Sequence, residues 1–151
     1  MRLLITFVAL VLIVSTPIAV AKTCSLTDSI NAEKATDNLK SWADIYDAFV
    51  RHTPQCDDGG VAEGFSDRIV HLLASNWDAL PKLNSLTKKD ALFKPFILKH
   101  IDATADTNEL RLIVKKSNSE CMVKYQRLCF QIGKAAAAAV KEAEKYEAAK
   151  P

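Results

Sequence analysis

Four carboxylates and a histidine stand within one short stretch of this chain: Asp57, Asp58, Glu63, Asp67 and His71. Carboxylates grouped this closely can hold Ca²⁺, and two of them can act as acid and base. The spacing does not suit an EF-hand loop, which alternates its ligands and closes on a glutamate at the twelfth position. Glu63, Asp67 and His71 recur every four residues and so line one face of a helix, as half a metal site or as a solvated face. Asp57 or Asp58 is placed to cap the helix that Gly59-Gly60 introduces. The pattern reads as a cap followed by an acidic face offered to a protein partner, with no metal bound. Trp77 lies between the apolar and acidic sides of the same helix, where a half-exposed aromatic ring can anchor such a contact.

The other polar residues do not converge. His52 falls at a helix end, and His100 falls on an apolar face near a helix C-terminus, the setting of a hydrogen-bonded core histidine. The chain has no H-E-x-x-H, C-x-x-C, C-x-x-C-H, G-x-S-x-G or phosphate-cradling glycine loop. No catalytic residue and no cofactor is therefore expected, and the chain reads as a binder, not an enzyme.

The elements that would position these residues are helical throughout, with no alternating apolar run long enough for a strand. Residues 22–35 read mainly as a polar N-terminal arm pinned by Cys24, with room for one helical turn around Leu26 and Ile30. A first helix is expected from Thr36 to His52–Thr53, ahead of Pro54, with Leu39, Trp42, Ile45, Tyr46 and Phe49 as its apolar stripe. A second runs from the Gly59-Gly60 turn to Leu80 with Pro81 closing it, and Asn76 falls near the middle of its apolar face. A short turn around Leu83 and Leu86 follows. Thr87–Asp90 and Asp106–Glu109 both have the form of a capping box. They introduce helices carrying Phe93, Phe96, Ile97 and Ile101, and then Leu110, Ile113 and Val114. Pro95 should kink the first of these or mark its first turn. A last helix starts near Cys121 or Met122. The expected fold is all-α, a compact bundle of five or six short helices. Residues 22–133 would form the domain, and residues 134–151, rich in alanine, lysine and glutamate, a solvated helical tail.

Residues 1–21 have the three parts of a secretory signal: Arg2, an apolar run from Leu3 to Val14, and the small-residue exit Ala19-Val20-Ala21. The run is about 12 residues, short of the roughly 20 that span a bilayer. Cleavage after Ala21 is the expected outcome, and a retained N-terminal anchor is the alternative. The remaining 130 residues suit one domain. Their 19 basic and 18 acidic side chains are too nearly balanced for a nucleic-acid partner. Export places Cys24, Cys56, Cys121 and Cys129 in an oxidising compartment, where an even set favours two disulfides over free thiols. Three connectivities remain open. Cys121 and Cys129 would lie about 12 Å apart along one continuous helix. They can pair only if Cys121 sits in the turn before it.

Taken together, Cys56-Asp57-Asp58-Gly59, Glu63-Gly64-Phe65-Ser66-Asp67, His100-Ile101-Asp102-Ala103-Thr104 and the Cys121…Leu128-Cys129 pair resemble small exported bacterial proteins of no assigned activity. That resemblance implies a periplasmic setting and a helical fold, and it carries no catalytic residue over. Insect odorant carriers match less well, since their C-x-x-x-C element is missing. The function expected is an envelope interaction protein of the immunity or adaptor kind. The first alternative is a carrier of a small apolar ligand lined by Phe65, Phe93, Phe96 and Asn76. The second is a metal-dependent or acid–base hydrolase built on Asp58, Glu63, Asp67 and His71.

Overall fold

Ser25 starts the first helix with a reciprocal cap: its hydroxyl accepts the Asp28 N–H at 3.1 Å, and the Asp28 carboxylate accepts the Ser25 N–H at 3.4 Å. The helix so begun, α1 (Leu26–Thr36), replaces the arm expected over residues 22–35. In this computed structural model, which describes residues 23–52 and 55–149, six further α-helices follow and no strand occurs among the described residues. The expected signal at residues 1–21 lies outside the described residues, as does Pro54.

α2 (Trp42–His52) begins six residues later than the Thr36 start expected from sequence. The Thr36 hydroxyl is committed to the Glu33 carbonyl at 2.7 Å, so Thr36 closes α1 instead of opening α2. The cap of α2 is Ser41, whose hydroxyl accepts the Asp44 N–H at 3.3 Å. Trp42, Ile45 and Ala48 are its buried side chains.

α3 (Gly59–Ser75) starts as expected behind Asp58, whose carboxylate accepts the Gly59 N–H at 2.8 Å, while Gly59 itself takes a φ of 51° that favours glycine. It ends at Ser75, not at Leu80. Asn76 is the C-cap, its N–H bonded to the Leu72 carbonyl, and its side chain is exposed instead of sitting on the apolar face. After a 3-10 turn (Trp77–Ala79), α4 runs over Leu80–Lys89. Pro81 stands in the first turn of α4 and opens that helix, where its missing N–H has no intrahelical partner to lose. The Thr87 capping box does not form, because the Thr87 hydroxyl donates to the Asn84 carbonyl within α4. Asp90 instead shapes the next turn by accepting the Leu92 N–H at 2.9 Å. α5 (Phe93–Lys99) has Pro95 in its first turn, and α6 (Thr107–Ser119) begins at Asp106, which accepts the N–H groups of Asn108 and Glu109.

α7 (Gln126–Ala148) continues through residue 134 as the helical tail expected there, but one of its faces is buried and not solvated. Ala136, Ala139 and Ala143 are buried, and α6 is the neighbour α7 contacts most. The close approach is set by Gly133, since a Cβ there would lie 2.2 Å from the Ser117 hydroxyl oxygen. Alanine and glycine in this segment are therefore helix-contact residues, not only helix formers. The core between α2, α3 and α5 is aromatic. Phe65 meets Phe96 edge-on at 5.0 Å, and Phe49 lies within 5.2 Å of Phe93 and 4.8 Å of Phe96, centroid to centroid.

Two disulfides staple this bundle. Cys24–Cys56 ties the start of α1 to the loop before α3, and Cys121–Cys129 spans 6.2 Å between Cα atoms. The second pair forms because Cys121 precedes the 3-10 turn Val123–Tyr125 and lies outside α7. Among the described residues no helix is long and apolar enough to cross a membrane.

A surface groove backed by a buried histidine network

The acidic residues singled out in the sequence do not act as one group. Asp58 is spent as the cap of α3. Glu63 is exposed, and Asp67 is exposed with Arg68 at 3.5 Å. His71 Nδ1 meets Glu109 on α6 at 2.8 Å, a local pair on the protein surface. No group of three His, Cys, Asp or Glu side chains among the described residues could hold a metal ion. Trp77, expected at the edge of an exposed face, is buried, and its indole N–H donates to the Glu120 carbonyl at 3.3 Å. It is a core residue and cannot anchor a partner.

Asp57 has a different setting, with its side chain only 11% exposed. One carboxylate oxygen, Oδ2, accepts from Lys99 Nζ at 2.7 Å. The other, Oδ1, stands 3.0 Å from Nε2 of His100 without the alignment of a hydrogen bond. His100 is 1% exposed and its ring packs on those of Phe96 and Phe65. Its other nitrogen, Nδ1, lies 3.2 Å from the Ser66 hydroxyl, which in turn reaches Asp102 Oδ2 at 2.8 Å and the Ala62 carbonyl at 3.1 Å. Asp102 is finished by Thr104, whose N–H and hydroxyl both donate to Oδ1.

Asp57, His100 and Ser66 thus have the pairwise distances of an acid, a base and a hydroxyl nucleophile. Ser66 is 0% exposed, so no substrate carbonyl can reach it. The chain Asp57, His100, Ser66, Asp102 links the loop before α3, α3 itself, the C-cap of α5 and the loop after it, and it leaves Asp57 Oδ1 and His100 Nε2 facing each other without a hydrogen bond.

Burial pushes His100 below its ordinary 6.5, with Lys99 adding to that effect, while Asp57 and Asp102 pull the other way. For Asp102, burial alone would raise the carboxyl. The hydrogen bonds from Thr104 and Ser66, with His100 nearby, outweigh it and leave Asp102 below 3.8. Both groups bind fewer protons folded than unfolded, so stability rises with pH across each window. The contribution of His100 is complete above 6.5 and is lost as pH falls from there toward its folded value. The contribution of Asp102 is complete above 3.8 and is lost below it. Urea midpoints measured against pH should fall in two separate stages, and His100→Gln should remove the upper stage while leaving the lower. A single acid stage, unchanged by that substitution, would contradict the assignment.

The wall in front of this network is a groove of about 630 Å³. Phe49 and Val50 of α2 form one side. Leu92, Pro95 and Phe96 form the other, with Asp90 beside them and the Asp57–Lys99 pair completing the lining. Val50 is 57% and Leu92 72% exposed, so the rim presents two large apolar side chains to solvent. Val50 lies off the apolar stripe of α2 and Leu92 in the turn before α5, and these two isolated apolar residues are the trace of this groove in the sequence. Comparison with protein-family models, with curated proteins and with solved structures gives no match for this chain.

Proposed function

We propose that this chain is an exported helical binding protein of the bacterial envelope, immunity-like or adaptor-like, which holds a protein partner through the groove between α2 and α5. The two disulfides fit the oxidising compartment this requires, and the resemblance to small exported bacterial proteins points the same way. The observation that carries the proposal is the exposed apolar rim, Val50 and Leu92, over a wall of Phe49 and Phe96. An open groove with apolar edges suits an anchor side chain projecting from another polypeptide, surrounded by near-neutral contacts that exclude water. A carrier would enclose most of its ligand. The interior assigned to that ligand is occupied by the rings of Phe65 and Phe93, both fully buried, and Asn76 faces solvent.

The test is capture from an envelope extract on the immobilised protein. Val50→Arg with Leu92→Arg changes only exposed side chains and should reduce recovery of the partner about tenfold or more. Charge reversal at Glu63 and Asp67, which are exposed and away from the cap at Asp58, should leave recovery intact. The opposite pattern would move the contact to the acidic face of α3. Recovery of a bound small molecule and no polypeptide would favour the carrier.

A further inference from the structure

Asp57 belongs to both the groove and the buried network, and this links what binds outside to what titrates inside. On the groove side it holds Lys99, whose ammonium donates to Asp57 Oδ2 at 2.7 Å and, weakly, to the Asp57 carbonyl at 3.5 Å. Lys99 has three N–H groups and remains 58% exposed, so one donor is left facing out. It is the one cation among the described residues lining the groove, beside two carboxylates, Asp57, which it pairs, and Asp90, whose Oδ1 accepts the Leu92 N–H.

Inside, three contacts run in series, Asp57 to His100, His100 to Ser66 and Ser66 to Asp102. A neutral imidazole and a hydroxyl bring two protons to three contacts, so one contact goes without: Ser66–Asp102 when Nε2 carries the proton, Asp57–His100 when Nδ1 does. An imidazolium supplies the third: Nδ1–H donates to Ser66, Ser66 donates to Asp102, and Nε2–H faces Asp57. The charges acting on His100 are Asp57 from the loop before α3, Lys99 from α5 and Asp102 from the loop after α5. From α3 the ring meets the Ser66 hydroxyl, the Phe65 ring and the Ala62 backbone. With His100 neutral these charges leave one net negative. An anion placed on Lys99 would add a second, and one proton on His100 cancels it.

We infer that the groove takes from its partner an apolar side chain adjoining a carboxylate, and that His100 gains a proton as this carboxylate settles on Lys99. The inference rests on the binding reading above. In the free protein burial keeps His100 mainly neutral at pH 7. Coupling is reciprocal, so acid must tighten the anion and the anion must raise the titration midpoint of His100 by the same factor.

Two fluorescent probes of one aromatic body test it on the full chain: phenylnaphthylamine, which is neutral, and anilinonaphthalene sulfonate, which adds a permanent anion. Between about pH 7.5 and about pH 5 the affinity for the sulfonate should rise about fivefold or more, while the neutral probe changes little. Lys99→Met should abolish the difference between the probes. The His100 ring resonances should titrate at higher pH with the sulfonate present and should not move with the neutral probe. This last measurement uses the native sequence, so it decides the question even if His100→Gln fails to fold. Equal, pH-independent binding of both probes, or an unmoved His100 midpoint, overturns the proton linkage and leaves the groove standing. Binding of neither probe, with partner recovery indifferent to Val50 and Leu92, overturns the groove as well.

Discussion

Replacing Cys24 and Cys56 together by alanine should lower the unfolding free energy by about 3–4 kcal/mol, and replacing Cys121 and Cys129 by only about 2–3 kcal/mol. The order follows from the chain enclosed. The first pair closes 32 residues, the second 8, and the entropy removed from the unfolded chain grows with the logarithm of that length. Native contacts add to the same order. Cys56 is buried, and it fixes the loop from which Asp57 reaches both Lys99 and His100. Loss of this disulfide frees α1, which buries little besides Ala32 and Thr36. Guanidinium titration of the two double variants, each against the oxidised protein, checks the ranking. Equal losses would mean that the α1 contacts hold that loop without the bond. The first variant should also lose capture of the partner at denaturant levels where its α6–α7 pair is still folded, since the groove depends on the Asp57 loop and α6–α7 does not.

Much of the helical frame is legible residue by residue, and the departures have physical causes. The starts at Gly59 and Thr107 follow from aspartates immediately ahead of them. α1 is harder to read because its apolar side chains, Leu26 and Ile30, are exposed and make no stripe. Its true marker is the Ser25-x-x-Asp28 cap, which has the same form as the Thr87 box that does not close. A capping sequence states that a cap is available, and the neighbouring backbone decides whether it is used. The sequence alone extends α3 past Ser75 because the apolar period continues from Leu73 to Leu80 across the break, and Pro81 is compatible with either a stop or a first turn.

The site was less legible than the frame. Ser66 lies 34 and 36 positions from its partners His100 and Asp102, and no helical or strand period connects such distances. Even so, the short stretches Cys56–Gly59, Glu63–Asp67 and His100–Thr104 hold Asp57, Ser66, His100, Asp102 and Thr104, every side chain of the network. Their types could be read from the chain. Their meeting required the fold. The exposed carboxylates are legible in the sequence because they share a helix-wheel spacing, whereas Lys99 gains its role only by crossing 42 positions to Asp57.

Gly64→Ala should cost about 3 kcal/mol, the upper end of what a single added methyl does in a packed contact. In an exposed helix the same change would help, since alanine is favoured over glycine by about 1 kcal/mol. Here the new Cβ would lie 2.2 Å from Thr36 Oγ1, 2.8 Å from its Cβ and 3.1 Å from its Cγ2. The hydroxyl cannot swing away without cost, because it is bonded to the Glu33 carbonyl at the end of α1. The Thr36 Cβ cannot move at all unless the helix does. α1 must therefore retreat from α3, and the Cys24–Cys56 bond resists that retreat at one end only. Thr36→Ala removes the two outer atoms and leaves the 2.8 Å contact, so the double variant should recover part of the loss, not all of it. A double-mutant cycle followed by thermal unfolding reads this directly as a non-additive pair. If Gly64→Ala proves neutral or stabilising, α1 and α3 do not approach as closely as their backbones place them, and the start of the chain is held by the disulfide alone.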